Sequence, residues 1–437
     1  MVAPNTPVVV GVGQYKQQLS DPTAALEQSD LMAEALLLAG ADGGAPAVLD
    51  AIERLVVIGG MWSYPDPGRL VADRVGASSA RSYLTAMGGD MPQVCVADAA
   101  ERIGAGECDV VAIVGGEAVY SKNKLRALGK TLPRSGQDMQ PAEFFGENVT
   151  MSSDHEERMG FGTPTAVYPL FESAVRAHAA RPVGNHRRYL GELWSDFNRV
   201  ATMNPHAWVR TPMSAEEIVT PSPSNRMVGL PYTKAMNANS FVDFGGAILL
   251  CSAERADSLG VPRDRWVFLH GAAKGHASYL FSERENYFSS PAIRRTGELA
   301  LELSETDIDD VAHMDLYSCF PSVVQISMAE LGIEQGRRVT TTGGLPFFGG
   351  PMNSYVIHAI ASTVDALRAD EGSYGFVHAN GGYATKHACA VYSTSPPDTP
   401  FRFGDAQELI DRYPTRAVDE LPSGPAVTET LTVLHDR

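Results

Sequence analysis

Short apolar runs that stop at a glycine alternate with helical stretches, and the alternation occurs twice along the chain. In the first half the apolar runs are Val8–Val12, Leu55–Gly59 and Val110–Gly115. Between them lie Asp30–Gly40 ("DLMAEALLLAG"), Leu70–Gly76 and the stretch opened by "MGGDMPQVC". Runs this short read as buried strands. Stretches with a polar start and a closing glycine read as helices. The order resumes at Phe241–Cys251, with strands at Trp266–His270, His313–Tyr317, Tyr374–Ala379 and Cys389–Ser393. Helices are predicted at Ser252–Gly260, at Pro321–Leu331 and in Ile293–Val311, which ends in an acidic loop. Such alternation calls for an α/β sheet under helical cover, and its recurrence for an internally duplicated α/β fold.

At 437 residues the chain exceeds one simple core and suits two packed halves. A formal net charge of −17 argues against nucleic-acid binding. It leaves room for a phosphate-bearing ligand on a local basic patch. One such patch is "SKNKLRALGKTLPRS", Ser121–Ser135, with five cations and no acid. The simpler reading of that charge pattern is a solvated basic face. The patch opens a region, 121–231, rich in proline, asparagine and tryptophan, which predicts an inserted loop domain with short helices. Beyond Ser395 the proline-rich "SPPDTPFRFGDAQELIDRYP" starts a C-terminal extension, 396–437, and "AVTETLTVLHDR" reads as one terminal strand. No apolar stretch reaches the length of a membrane span and no secretory leader is evident, so the expected location is cytoplasmic.

The five cysteines are scattered without a Cys-x-x-Cys pair, which disfavours a disulfide framework or a zinc site. Cys95 falls on the row Met91, Cys95, Ala99, Ile103, one apolar helix face, and reads as a core thiol. Cys319, in "MDLYSCFPSVVQ", lies just before a predicted helix start, where a thiol pKa is lowered. Tyr317 offers a phenol in the same turn. His378 ends a strand just before Asn380-Gly381-Gly382, and His387 starts the return strand. Either suits proton transfer or a hydrogen-bonded structural place. His270 and His276 flank "GAAKG", and His358 lies inside a helix. In "GGLPFFGGP", Gly343, Gly344, Gly349 and Gly350 would let backbone N–H groups approach an anion or carbonyl oxygen. "VGVGQYK" holds two glycines of a dinucleotide-binding motif, but Lys16 stands where the third is expected.

Taken together, these segments resemble the thiolase superfamily over about residues 6–394. "VADAAERIGAGECDVVAIVGGEAVYS" is similar to the helix and strand after the nucleophile turn. "FVDFGGAILLCSAERADSLG" is similar to the opening of the second half, "GGLPFFGGP" to "GGAIALGHP", and "VHANGG" to the region of the Cys-x-Gly motif. "YSCF" falls where thiolases carry Asn-Glu-Ala-Phe or His-Asp-Cys-Phe. The resemblance is strongest to sterol-carrier-type thiolases and to thiolase-like proteins known as acetyl-CoA acetyltransferases, some with an extra C-terminal domain. It implies a duplicated, five-layered α-β-α-β-α fold. The halves would be 1–120 with 232–255, and 256–395. The loop domain, 121–231, would cover a coenzyme A site, and 396–437 would be an incomplete extra domain.

The same resemblance assigns the site. Gly89 stands at the nucleophilic cysteine, Gly350 at the histidine of Gly-His-Pro and Tyr317 at the oxyanion-motif residue. The second cysteine falls at His378 or beside it. A glycine cannot form an acyl-enzyme. The expectation is a thiolase-like acyl-CoA protein of lipid metabolism, nominally an acyltransferase, without cysteine-dependent thiolysis. An acyl-CoA aldolase or lyase and a non-catalytic binding or assembly subunit are the alternatives. Tyr317, His378 and Cys319 are the catalytic candidates, with Gly343, Gly344, Gly349, Asn380 and Gly381 as the substrate loop. The implied ligand is a coenzyme A thioester, with no metal and no resident cofactor. Thiolase dimers imply a homodimer or a partner subunit.

Overall fold

The computed structural model describes residues 2–138 and 142–435. Its strands are β1 (Pro7–Lys16), β2 (Arg54–Val57), β3 (Arg81–Thr85), β4 (Val110–Ala118), β5 (Glu143–Phe145), β6 (Met227–Gly229) and β7 (Tyr232–Thr233). They continue with β8 (Asp243–Ser252), β9 (Val267–His276), β10 (Val311–Leu316), β11 (Tyr374–Gly381), β12 (Lys386–Ser393) and β13 (Phe403–Asp405). The helices are α1 (Gln28–Asp42), α2 (Pro67–Val75), α3 (Met91–Gly104), α4 (Val119–Ala127), α5 (Asp154–Arg158), α6 (Pro164–His178) and α7 (Val183–Met203). The rest are α8 (Ala215–Val219), α9 (Ala253–Ser258), α10 (Pro291–Leu303), α11 (Pro321–Glu330), α12 (Gly344–Phe347), α13 (Tyr355–Ala369) and α14 (Gln407–Ile410).

Two mixed sheets result. The first runs β5-β3-β2-β4-β8-β1 and the second β9-β12-β11-β10, with β13 beside β9. They join through two residue pairs of β1 and β9, Val8 with Phe268 and Val9 with Val267. Helices α1 and α2 cover the outer face of the first sheet, and α10 and α11 lie beyond the second. Helices α3 and α13 pack against each other and touch strands of both sheets, so they form the central layer. The five-layered α-β-α-β-α order is therefore present. Strands β4 and β8 are buried along their whole length, as expected of strands covered on both faces.

Local sequence explains the close layers. A side chain on Gly11 or Gly13 would strike the carbonyl oxygens of Ala39 or Ala35, so these glycines let α1 rest directly on β1. That packing accounts for the glycine pair of "VGVGQYK" without a nucleotide. The row Met91, Cys95, Ala99, Ile103 is buried on α3, as its spacing predicts.

Two expectations need correction. The region 121–231 is not built of short helices: α6 spans 15 residues and α7 spans 21. Along α7, buried His186, Leu190, Trp194, Phe197 and Ala201 recur every three or four residues, an apolar stripe that outweighs the loop-like composition. The chain leaves the sheet after β4 and returns at β8, β4's antiparallel neighbour, so the region is an excursion from one sheet. The C-terminal segment forms no strand over 426–435. It runs mostly exposed but is tied to the body at several points: bridges join Thr415 to Arg284 and Leu434 to Gly229, the Thr430 hydroxyl donates to the Leu170 carbonyl, the Leu230 N–H donates to the Val433 carbonyl, and Glu420 pairs with Arg158. Its last two residues lie outside the described residues.

Candidate active site

The C-terminal ends of β3, β10 and β11 converge, the usual ligand side of parallel strands. The turn Gly88–Asp90 follows β3 and leads into α3. Tyr317 and Cys319 follow β10, in the turn before Pro321 begins α11. Asn380 sits near the end of β11. A Cβ built on Gly89 would lie 2.7 Å from the Tyr317 hydroxyl and would also strike the Asn380 carbonyl oxygen. The space where a side chain would begin is thus occupied by a phenol. Among the described residues the Tyr317 hydroxyl has no hydrogen-bond partner. Burial, with Cys319 and Asp90 nearby, pushes its pKa well above the usual phenol value, so it remains a proton donor.

Asn380 closes the other side. Its Nδ2 donates to the Tyr168 hydroxyl at 3.0 Å and points at the Cys319 sulfur 4.0 Å away. Its Oδ1 is buried with no partner. Tyr168, from α6, donates to the Gly382 carbonyl and accepts from the Ala384 N–H, which ties the 121–231 excursion to the site. Beside the turn, Lys386 Nζ donates to the Met87 carbonyl at 2.8 Å and lies 3.4 Å from Asp90 Oδ1. The Asp90 carboxyl is raised by burial, against the opposing pull of Lys386. Gly88 and Gly381 both lack the side chain that would collide with this carboxylate.

No family model matches the sequence, and no curated protein does. Among solved structures, a monomeric SCP2-thiolase like protein type 1 from Mycobacterium smegmatis is 34% identical, with TM-score 0.85 over 99% of this chain and 87% of its own. The chain belongs to the SCP2-thiolase-like proteins. An Ltp2-ChsH2(DUF35) aldolase shares 19% identity and TM-score 0.68, covering 90% of this chain and 98% of its own. The dimeric peroxisomal thiolase of Saccharomyces cerevisiae shares 14% and 0.64, covering 90% and 99%. These last two show a common thiolase fold.

Within that thiolase fold burial disfavours the thiolate form of all five cysteines. Burial raises Cys319 and Cys251 to about 12 and Cys108 to about 11. It raises Cys95 and Cys389 as well. At Cys319, expected at a helix start that lowers a thiol pKa, the thiol is enclosed and desolvation outweighs the hydrogen bonds that favour a thiolate.

His378 is not at the converging ends. It lies two residues deeper on β11, its Nδ1 3.5 Å from Ser327 of α11 and its Nε2 3.1 Å from His387 Nδ1. Burial lowers its pKa to about 3, which favours the neutral ring. His387 is lowered too, first by burial and then by His378. His276 ends β9 opposite Lys386, at the rim of the site, whereas His270 is bonded to the Ser395 carbonyl.

The glycine loop turns several of its N–H groups inward. Gly343 and Gly344 donate to the hydroxyls of Thr340 and Thr342, and Gly350 donates to the Asn239 carbonyl. These three N–H groups are bonded within the chain. Gly343, Gly344 and Gly349 have φ of +102°, +78° and +110°, which explains the residue type. The loop is anchored by Asp315, whose Oδ2 accepts from the N–H groups of Thr341 and Thr342 and from the Thr340 hydroxyl. Sequence reading missed Tyr168, Asp90, Lys386 and Asp315. Only Asp90 carried a signal, as the residue next to Gly89.

Proposed function

We propose that the protein binds an acyl-CoA thioester and performs aldol-type carbon–carbon bond chemistry without a covalent acyl-enzyme. One observation carries the reading: the Tyr317 hydroxyl fills the space at Gly89 where a nucleophilic side chain would start. Tyr317 is the donor to the thioester carbonyl, which gains negative charge as an enolate forms. Asp90 is the proton-transfer group. It adjoins Gly89, its field reaches Tyr317, and burial raises its pKa, so its carboxylate is a stronger base for the 3-hydroxyl proton, which it then returns to the enolate carbon. Asn380, with its free Oδ1, orients the acyl group. The likeness to an aldolase complex supports this chemistry at the level of fold. The 121–231 excursion, through Tyr168, is the cover over the thioester. Lipid metabolism remains the proposed setting.

The test is cleavage of a 3-hydroxyacyl-CoA, followed by release of the carbonyl product and the shortened thioester. Tyr317→Phe lowers the rate by roughly 100-fold, as loss of one oxyanion donor does. Asp90→Asn lowers it too, and neither abolishes binding of the thioester. Equal rates in wild type and both variants would overturn the assignments. Binding without turnover in the wild type would favour the non-catalytic subunit.

A further inference from the structure

The basic stretch after β4 is not used by the centre at Gly89. Its Lys122 and Arg126 sit one helical turn apart on α4, Lys130 follows just beyond the helix, and Arg134 lies further on. All four line one pocket of about 790 Å³, opposite the segment 60–64. Lys122, Arg126 and Lys130 are exposed and form no salt bridge or side-chain hydrogen bond among the described residues. Arg74, which contacts Ser135 at the end of the same stretch, by contrast pairs with Glu27 and Asp30. In a chain of net charge −17, three converging unpaired cations are unusual. A helix C-terminus attracts cations, which accounts for Arg126 in the last turn but not for Lys122 or Lys130.

The opposite wall is aromatic and fixed. Trp62 Nε1 donates to the Gly116 carbonyl at 3.0 Å, and its ring lies 5.4 Å from that of Tyr64. The Tyr64 hydroxyl donates to Glu27 at 2.9 Å, and Arg134 stacks its guanidinium over the Tyr64 ring. The cations are long and solvated and make no contact ion pair, although the fields of Lys122 and Lys130 reach Glu117 and Asp21; the aromatic wall is preformed. The volume falls in the range of small-molecule sites.

We propose that this pocket binds a nucleoside diphosphate, its phosphates held by Lys122, Arg126 and Lys130 and its base against Trp62. A charge-assisted phosphate contact and an aromatic face are the two features such a ligand requires. The source is either a free nucleotide or the nucleotide end of a coenzyme A thioester. No pocket residue belongs to the centre at Gly89, Tyr317 and Asn380, so the proposal does not depend on the chemistry assigned there.

The experiment is calorimetric titration of the full chain with ADP, inorganic pyrophosphate and coenzyme A at low salt. ADP is expected to bind saturably at one site and to weaken as salt is raised. Arg126→Gln and Lys130→Gln each weaken it by roughly tenfold, with unchanged thermal midpoints because both side chains are exposed. Trp62→Leu weakens ADP but not pyrophosphate. Coenzyme A that displaces ADP supports the proposal with the thioester as source. Coenzyme A that leaves ADP bound supports it with a free nucleotide. Absence of saturable ADP binding overturns it, as does binding that survives the double substitution of Arg126 and Lys130. Pyrophosphate binding as tightly as ADP overturns the nucleotide assignment.

Discussion

Restoring a cysteine at the turn is the most direct test of the site's geometry. In Gly89→Cys the new Cβ lies 2.7 Å from the Tyr317 hydroxyl, and the Asn380 carbonyl also blocks it. Ordinary contact would be roughly 3.5 Å, so the phenol must retreat by nearly 1 Å. The phenol packs edge-on against Tyr355, whose own hydroxyl is bonded to Asp315. The carbonyl belongs to β11, which is paired on both sides. Neither neighbour yields easily, and the expected destabilisation is about 2–3 kcal/mol, the upper part of the range for overpacking. Equilibrium unfolding in urea reads it as a lowered midpoint. In a Tyr317→Ala background the same substitution should cost about 1 kcal/mol less, because one of the two obstacles is gone. Thioester-dependent acylation, followed by peptide mass spectrometry, should find no label on the introduced thiol. Wild-type stability together with rapid acylation would refute the reasoning, since the position would then be an open nucleophile site.

Two further outcomes follow from buried carboxyls. Burial raises Glu117 from 4.5 to about 7, with Lys122 opposing the shift. Its folded pKa exceeds its unfolded value, so its contribution is intact below about pH 4.5 and is lost as pH rises toward 7. Glu117→Gln should therefore be more stable than wild type above neutrality, by up to about 3 kcal/mol, with the gap closing in acid; urea midpoints across that pH range check it. Asp315→Asn replaces a carboxylate that accepts from the Thr341 and Thr342 amides, from the hydroxyls of Thr340, Thr341 and Thr342, and from Tyr355. It should cost about 3 kcal/mol and speed hydrogen exchange at the Thr341 and Thr342 amides.

The layered fold was legible because glycine-ended apolar runs such as Val110–Gly115 are long enough to show burial on both faces. The long helices α6 and α7 were not, since prolines and asparagines hid an apolar stripe that only emerges when the spacing is counted. For the site, the order of motifs located Gly89 and Tyr317 within one turn each. It placed emphasis on His378, two residues and about 7 Å short of the position that Asn380 occupies. Side chains two apart share a strand face, so the pattern could not separate the rim from the core. Tyr168 and Lys386 were beyond reach for another reason. They reach the turn from elements about 80 and 300 residues further along the chain, and no local spacing encodes such a meeting.

The strand β5 has a consequence for how this molecule meets others. It pairs in parallel with Tyr83–Thr85 of β3, and at its start Glu143 holds Arg81 at 2.7 Å. β3 would otherwise present an open row of amides and carbonyls, the kind of edge on which a foreign strand can be templated. Here that row is spent within the chain, and the new outermost rung is only three residues long. A strand arriving at this border finds footing for a single short register, too little to propagate. The molecule is in this sense hemmed, like cloth whose selvedge has been folded under.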